Sequence, residues 1–302
     1  NYSSFDDVEK AQDYARNRKY PLVIKADGLA AGKGVVIVED YESASEIITR
    51  FMDEKKFGEA GIRIVLEEFL TGQELSFIAM VNGEEILSLA TSQDHKTIDE
   101  GDKGLNTGGM GAYSPVPFVN DELNEKILNR VIKPTVKGLI NEGIYYRGFL
   151  YAGLMIDKNL DPKVLEYNCR FGDPETQPIM MRLESDLYDL INSSFKGGLN
   201  KFPIKWNPNV ALGVIMSSHG YPLSYEIGFE ISGLQDLNSN LKVFHSGTKK
   251  ENNKTLTNGG RVLCVTSLGG NIEQARSLAY SAISKINWKG SYFRRDIGFR
   301  VI

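Results

Sequence analysis

Apolar positions along the chain follow two periods, and the changes between them predict the elements. Phe5, Val8, Ala11, Tyr14 and Ala15 recur at helical spacing behind Ser4 and Asp7, which read as a helix cap, and Pro21 closes that helix. Residues 22–25 and 35–38 are short apolar runs, read as strands either side of a glycine-rich turn. Ile47, Ile48, Phe51 and Met52 share one face of a helix over 41–55, and 62–67 reads as a strand. Asn82-Gly83 between alternating apolar runs predicts a hairpin. Residues 92–117 have little period and are rich in Gly, Ser, Thr, Asn and Asp. They are expected to form a long loop, and such a loop inside a compact domain is usually functional or disordered. A helix follows at 121–142, then strands at 148–156 and 163–168 joined by a turn at 157–162. Helical patterns resume after Pro174, and two prolines in 199–208 mark a boundary. Short strands and turns then lead to a helix at 271–286.

The length of 302 residues suits about two domains, and 41% hydrophobic with 25% charged residues is an ordinary globular composition. A net charge of −4 with scattered lysines and arginines gives no footprint for nucleic acid. No apolar run approaches the roughly 20 residues of a membrane helix, and no signal peptide is read at the start. Cys169 and Cys264 lie far apart, which argues against a disulfide framework and for a reducing compartment. His95, His219 and His245 lack zinc-ligand spacing. The chain starts at Asn1 in what reads as a helical pattern, so it is expected to begin partway through a longer protein.

Four segments carry candidate chemistry. The first holds Lys25, Gly28, Gly32, Lys33 and Gly34 between two strands. Its glycines can turn backbone N–H groups toward an anion and its lysines add charge, although a plain glycine-tipped hairpin has the same composition. It is not a Walker A loop, because a strand rather than a helix follows it. The second, 65–74, is a hinge between strands. Phe69 and Leu70 could pack on a purine, and Glu74 could accept from ribose hydroxyls; a solvated turn with surface glutamates is the alternative. In the third, Glu166, Asn168 and Arg170 alternate along a strand and so share a face, which suits a divalent cation and phosphate. Apolar Val164, Leu165 and Tyr167 make that strand read as half-buried. The fourth combines Asp94, His95 and Lys96 with Asn106, Gly108 and Gly109, polar and glycine-rich enough to approach a small polar substrate closely, or to be a mobile surface loop. Near the end, Arg261 follows two glycines in a manner suited to a phosphate, with Lys249 as a further candidate cation; a hairpin turn with a surface arginine is the alternative.

Taken in order, the glycine loop, the Glu-Glu-Phe-Leu hinge and the Glu-x-Asn-x-Arg strand resemble the pattern of ATP-grasp ligases. The strings KADGLAAGKGV, SQDHK, NTGGMGAYSPVP, GFLYAGLMID, EYNCRFGDPETQ and NGGRVLCVT resemble the phosphoribosylamine–glycine ligase family, from about residue 20 to the end. The resemblance implies an α+β chain: an ATP-grasp domain at 1–198, with a small lid subdomain at about 1–72, followed by a β-rich C-terminal domain at 199–302. It implies that Lys25 and the loop from Gly28 to Gly34 hold ATP phosphates, that Glu67, Phe69 and Leu70 line the adenine pocket, and that Glu74 holds the ribose. Glu166 and Asn168 would ligate Mg²⁺ or Mn²⁺, with Arg170 and Asp173 where phosphate and glycine meet. The preceding strand offers Gly153, Leu154, Met155 and Ile156 where many such ligases carry another acidic ligand. The implied reaction joins glycine to 5-phosphoribosylamine through glycyl phosphate, in a cytoplasmic, monomeric enzyme without nucleic-acid or membrane partners. The family also implies a further domain before residue 1, and a lid that closes to exclude water.

Overall fold

The computed structural model describes residues 1–28, 30, 34–234 and 240–302. The chain divides into two compact units, Asn1–Thr71 and Gly72–Ile302.

The N-terminal unit begins with a strand, β1 (Tyr2–Phe5), and not with the expected helix. Its residues alternate between exposed and half-buried and pair with Ile64–Glu67, so Phe5 belongs to a period of two. The helix α1 (Val8–Arg16) starts after Asp7, whose side chain accepts from the Lys10 N–H at 2.9 Å, and it ends before Pro21. β2 (Leu22–Ala26), β3 (Val35–Val38), α2 (Tyr41–Met52) and β4 (Ile64–Glu68) follow. Asp40 caps α2 through the Ser43 N–H at 2.8 Å. The antiparallel sheet has the order β1-β4-β2-β3. Ile24, Ile64 and Leu66 pack with Ile48 and Phe51 of α2, all fully buried. Each such side chain contributes about 1.5–3 kcal/mol relative to exposure.

The larger unit opens with β5 (Gln73–Asn82) and β6 (Glu85–Ser88), turning at the expected Asn82-Gly83. The segment 92–117 is not the irregular loop its composition predicts. It forms β7 (Gln93–Asp94), β8 (Thr97–Asp99), β9 (Lys103–Asn106) and β10 (Gly111–Ser114). Two of its buried polar side chains are paired: Ser92 donates to the Tyr113 carbonyl at 2.8 Å, and the Tyr113 hydroxyl donates to Gln93 at 2.5 Å. The helix expected at 121–142 is α3 (Asp121–Ile127) and α4 (Lys133–Asn141) joined by a π turn at Leu128–Ile132. Pro134 lacks the N–H that an uninterrupted ladder requires, which accounts for the widening there.

β11 (Arg147–Ile156) pairs with β5 along its whole length, from Arg147↔Asn82 to Ile156↔Gln73, and β12 (Pro162–Asn168) lies outside it. The sheet order β12-β11-β5-β6 makes β12 an edge. That corrects the half-buried reading of this strand, since Val164 is 37% and Tyr167 40% exposed. After α5 (Thr176–Arg182) and α6 (Leu187–Lys196) come β13 (Val210–Ser218), β14 (Leu241–His245), β15 (Thr248–Glu251), β16 (Lys254–Thr257), β17 (Arg261–Gly269), α7 (Ile272–Ile283) and β18 (Ser291–Tyr292). The second large sheet runs β14-β17-β13-β10-β7, so it takes strands from both sides of residue 199. A single bridge, Ser76↔Ser92, ties β5 to the segment leading into β7. Among the described residues no helix is long and apolar enough to cross a membrane, and both cysteines are free thiols.

Candidate active site

In the N-terminal unit, neighbouring strands β2 and β4 bring Lys25 Nζ within 2.8 Å of Glu67 Oε2, joining a residue expected at phosphate to one expected at adenine. Gly28 is required by packing: a Cβ there would stand 2.6 Å from the Ala60 Cα. At Gly34 a Cβ would stand 2.6 Å from that of Ala30. Gly32 and Lys33 lie outside the described residues. Phe69, 39% exposed, leaves an apolar ring available at the end of this unit, beside the half-buried Leu70.

In the larger unit, Glu166 and Asn168 face Gly153 and Tyr151 across the ladder. A bulge shifts the register between Glu166 and Val164 but leaves Glu166 and Asn168 on one face, as alternation requires. A Cβ at Gly153 would sit 3.0 Å from Glu166 Cγ, so the absence of a side chain on the preceding strand makes room for this carboxylate. No group of three or more His, Cys, Asp or Glu side chains able to hold a metal occurs among the described residues. One carboxylate and one amide oxygen fit a hard divalent cation that completes its shell with phosphate oxygens and water. Arg170 departs from expectation. It lies beyond the strand, which ends at Asn168, and its guanidinium donates to the Phe171 carbonyl at 2.8 Å.

A cluster of carboxylates lies around Lys96. Its ammonium pairs with Glu74 Oε2 at 3.1 Å, which engages the carboxylate expected at the ribose. Burial pushes the Lys96 pKa down, but Asp94, Glu74 and Glu166 together raise it above its ordinary value. Asp94 is 6% exposed. Burial first, then the neighbouring Glu175, raise its pKa to about 8. Glu175, 2% exposed, is also shifted upward by burial, against the bond it accepts from Ser76 Oγ at 2.7 Å. The Tyr151 hydroxyl stands 3.1 Å from the same Ser76 oxygen. Sequence reasoning missed Ser76, Tyr151 and Glu175. The first two are ordinary strand residues in sequence, and Glu175 reads as an acidic residue at a helix start. Only the pairing of β5 with β11 and of Ser76 with Ser92 brings them together.

His95, expected at the substrate, lies in the interior. It is fully buried, its Nε2 accepts from the Gly298 N–H at 3.2 Å, and its Nδ1 lies 3.3 Å from the Gly111 carbonyl. Burial, then the Arg300 and Arg294 charges, push its pKa down to about 3, which keeps it neutral. Asn106 is exposed at the end of β9. Arg261, expected at a sugar phosphate, is bound within the protein. It donates to the Gly108 carbonyl at 2.7 Å, the Asp173 carbonyl at 2.9 Å and Asp173 Oδ2 at 2.9 Å. Gly109 (φ +109°) passes so close to Pro174 that a Cβ would meet its ring at 2.3 Å. Asp173, Gly108, Gly109 and Arg261 thus form one brace. Lys249 stands apart from it, ion-paired with Glu251 at 2.9 Å.

The fold and the polar set on β12 define an ATP-grasp protein. The profile of the phosphoribosylglycinamide synthetase ATP-grasp (A) domain matches residues 1–176, and that of the C domain matches residues 211–300. The phosphoribosylamine–glycine ligase of Allochromatium vinosum is 53% identical over 302 residues, covering 100% of this chain and 71% of the relative. The crystal structure of the Thermotoga maritima phosphoribosylamine–glycine ligase superposes with a TM-score of 0.90 at 36% identity, covering 99% of this chain and 74% of that one. A biotin carboxylase domain from Hydrogenobacter thermophilus shares the fold alone, with a TM-score of 0.72 at 16% identity over 95% of this chain and 61% of that one. The chain belongs to the phosphoribosylamine–glycine ligase family.

Proposed function

We propose that this chain catalyses the ATP-dependent joining of glycine to 5-phosphoribosylamine, giving glycinamide ribonucleotide, ADP and phosphate through glycyl phosphate. The observation that carries the reading is the relationship to a ligase of that name over 100% of the chain at 53% identity. Amide formation from a free carboxylate is uphill in water. The glycine carboxylate therefore attacks the γ-phosphorus of ATP, ADP leaves, and the amine then displaces phosphate from the acyl carbon. Phosphoryl transfer of this kind needs positioning and charge neutralisation and no protein nucleophile. A divalent cation, Mg²⁺ or Mn²⁺, bound by Glu166 and Asn168 would neutralise phosphate charge.

The N-terminal unit contributes Lys25, held in place by Glu67, and the glycine loop toward phosphate, with Phe69 and Leu70 for the purine. In the larger unit, Lys96 supplies fixed positive charge beside Glu74, and the Arg261 brace sets the path of Gly108 and Gly109 next to Asp173. Two free thiols agree with a reducing cytoplasm. ADP release by the full-length protein is expected to require glycine and phosphoribosylamine together. ADP formation indifferent to glycine would overturn the reading.

The brace gives a sharper test. Arg261→Ala is expected to lower kcat/KM for glycine and phosphoribosylamine by about tenfold, the equivalent of roughly 1.4 kcal/mol, because Gly108 and Asp173 lose their common donor. The KM for ATP should stay within about twofold of wild type. An equal rise in all three KM values would indicate a folding defect instead.

A further inference from the structure

Both backbone polar groups of Gly108 are bound by side chains that lie 113 and 153 residues further along the chain. The Tyr221 hydroxyl accepts from the Gly108 N–H at 2.9 Å, and Arg261 Nη1 donates to the Gly108 carbonyl at 2.7 Å. The residues on either side are tied as well. Thr107 donates to the Lys96 carbonyl through its N–H at 2.7 Å and its hydroxyl at 2.8 Å, and the same hydroxyl accepts from the Gly109 N–H at 2.9 Å. Lys96 carries its ammonium 3.1 Å from Glu74 and within electrostatic reach of Glu166. On the other side Arg261 joins the turn to Asp173 at 2.9 Å. The turn Thr107–Gly109 is thus suspended between Lys96, beside a candidate cation ligand, and Asp173.

Packing of the ring fixes where the Tyr221 hydroxyl stands. A Cβ on Gly260 would lie 2.3 Å from Tyr221 Cδ2 and 2.9 Å from Tyr225 Cε1, so both rings rest on this stretch of backbone. Their centroids are 6.3 Å apart. Gly260 immediately precedes Arg261, so one dipeptide supports both holds on Gly108: its first residue carries the tyrosine ring, and its second grips the carbonyl. Ser218 locks the end of β13 to the same place. Its N–H donates to the Gly260 carbonyl at 2.8 Å and its hydroxyl to the Gly259 carbonyl at 2.9 Å.

We propose that Tyr221 is a positioning residue for ligation: together with Arg261 it holds the Gly108–Gly109 turn in the shape that receives the two substrates being joined. The inference rests on the ligase reading of the site. Two adjacent glycines have no side chains to hold them and an unusually wide choice of backbone conformation. Bonds from outside the turn remove that freedom before a ligand arrives, so binding does not bear the cost of ordering it. Tyr221 acts through the turn and needs no contact with substrate. Gly108 has to be glycine on this account, because a Cβ there would stand 2.7 Å from Arg261 Nη2.

Tyr221→Phe removes one oxygen and leaves the ring on Gly260. In the full-length enzyme it is expected to raise the KM for glycine and for phosphoribosylamine about tenfold, with kcat and the KM for ATP within about twofold of wild type. A merely structural loss would lower the active fraction, and hence kcat, with every KM unmoved. Amide exchange of the Gly108 N–H should quicken about tenfold in the variant, while β13 and β17 keep their protection. Tyr221→Phe combined with Arg261→Ala should be little worse than Arg261→Ala alone, because both residues hold one turn. Faster exchange at Gly108 with unmoved glycine and phosphoribosylamine KM values would overturn the positioning role, as would a kcat loss at constant KM or strictly additive effects in the double variant. Wild-type enzyme whose ADP release ignores glycine would overturn the ligation reading and the role of Tyr221 in it; glycine-dependent release with a Tyr221→Phe enzyme equal to wild type would overturn the role alone.

Discussion

Replacing Glu166 with alanine is expected to reduce kcat by about 10²–10⁴ while leaving the protein folded. The carboxylate projects from the outer strand of a sheet, opposite a glycine, and is itself exposed. Truncating an exposed side chain at such a place changes stability by roughly 0.5 kcal/mol at most. Its value is chemical. On the proposed reading it pairs with Asn168 as an oxygen ligand on β12, and a hard cation held there would neutralise charge on the phosphates when the γ-phosphoryl group moves. Losing one of two protein ligands removes about 3–5 kcal/mol of transition-state stabilisation, and each 1.36 kcal/mol is roughly a tenfold change in rate. Glu166→Gln should fall between the alanine variant and wild type, because it keeps an oxygen ligand but not the charge. Asn168→Ala should be milder than Glu166→Ala, since an amide brings no charge. Unchanged melting with collapsed kcat at saturating Mg²⁺ is the expected result. Near-normal turnover would show that the cation is held elsewhere.

Elements with a clean period are legible in the sequence. The strands at 22–26 and 35–38, the hairpin at Asn82-Gly83 and the helix at 272–283 all carry apolar residues at their natural spacing. The start of the chain misleads because Phe5 sits at helical distance from Val8, and only pairing with β4 decides between the two periods. Segment 92–117 misleads for a different reason. Its buried positions mix polar Ser92, Gln93, Asp94, His95 and Ser114 with Met110, Ala112, Tyr113 and Val116, so burial leaves no regular apolar period. The same fact hides Glu175. Glu166 and Asn168 need only alternation along one strand, which is local information. Their neighbours Ser76, Tyr151 and Glu175 need the register of β11 against β5, which is not. Arg261 shows the limit of motif chemistry. A guanidinium after two glycines suits phosphate, yet here its donors go to Gly108 and Asp173.

Substituting methionine for Arg294 is expected to lower stability by about 3–5 kcal/mol and the melting temperature by on the order of 10 °C. This guanidinium has no exposed surface, and its donors are used within a short radius. Nε and Nη2 grip Asp296 at 2.8 and 2.7 Å, Nη1 donates to the Thr97 carbonyl at 3.1 Å, and both Nη atoms reach Asp102 Oδ1 at 3.2 Å. Asp102 is shared with Arg300, whose Nη1 holds the Asp94 carbonyl at 2.8 Å. The C-terminal residues therefore clamp the segment that carries Asp94 and Lys96. Methionine matches much of the volume but leaves Asp296 without its cation and Asp102 with Arg300 alone. Acid provides an independent check. Burial acts to raise the Asp296 pKa, but its bonds from Arg294 and Gly101 outweigh it and hold the group below its ordinary value. The stabilisation from this pair is thus complete above the unfolded aspartate pKa of about 4 and fades as pH falls through the lower folded value. The methionine variant should lack that acid limb. A melting temperature within about 2 °C of wild type would show that the clamp contributes little to the fold.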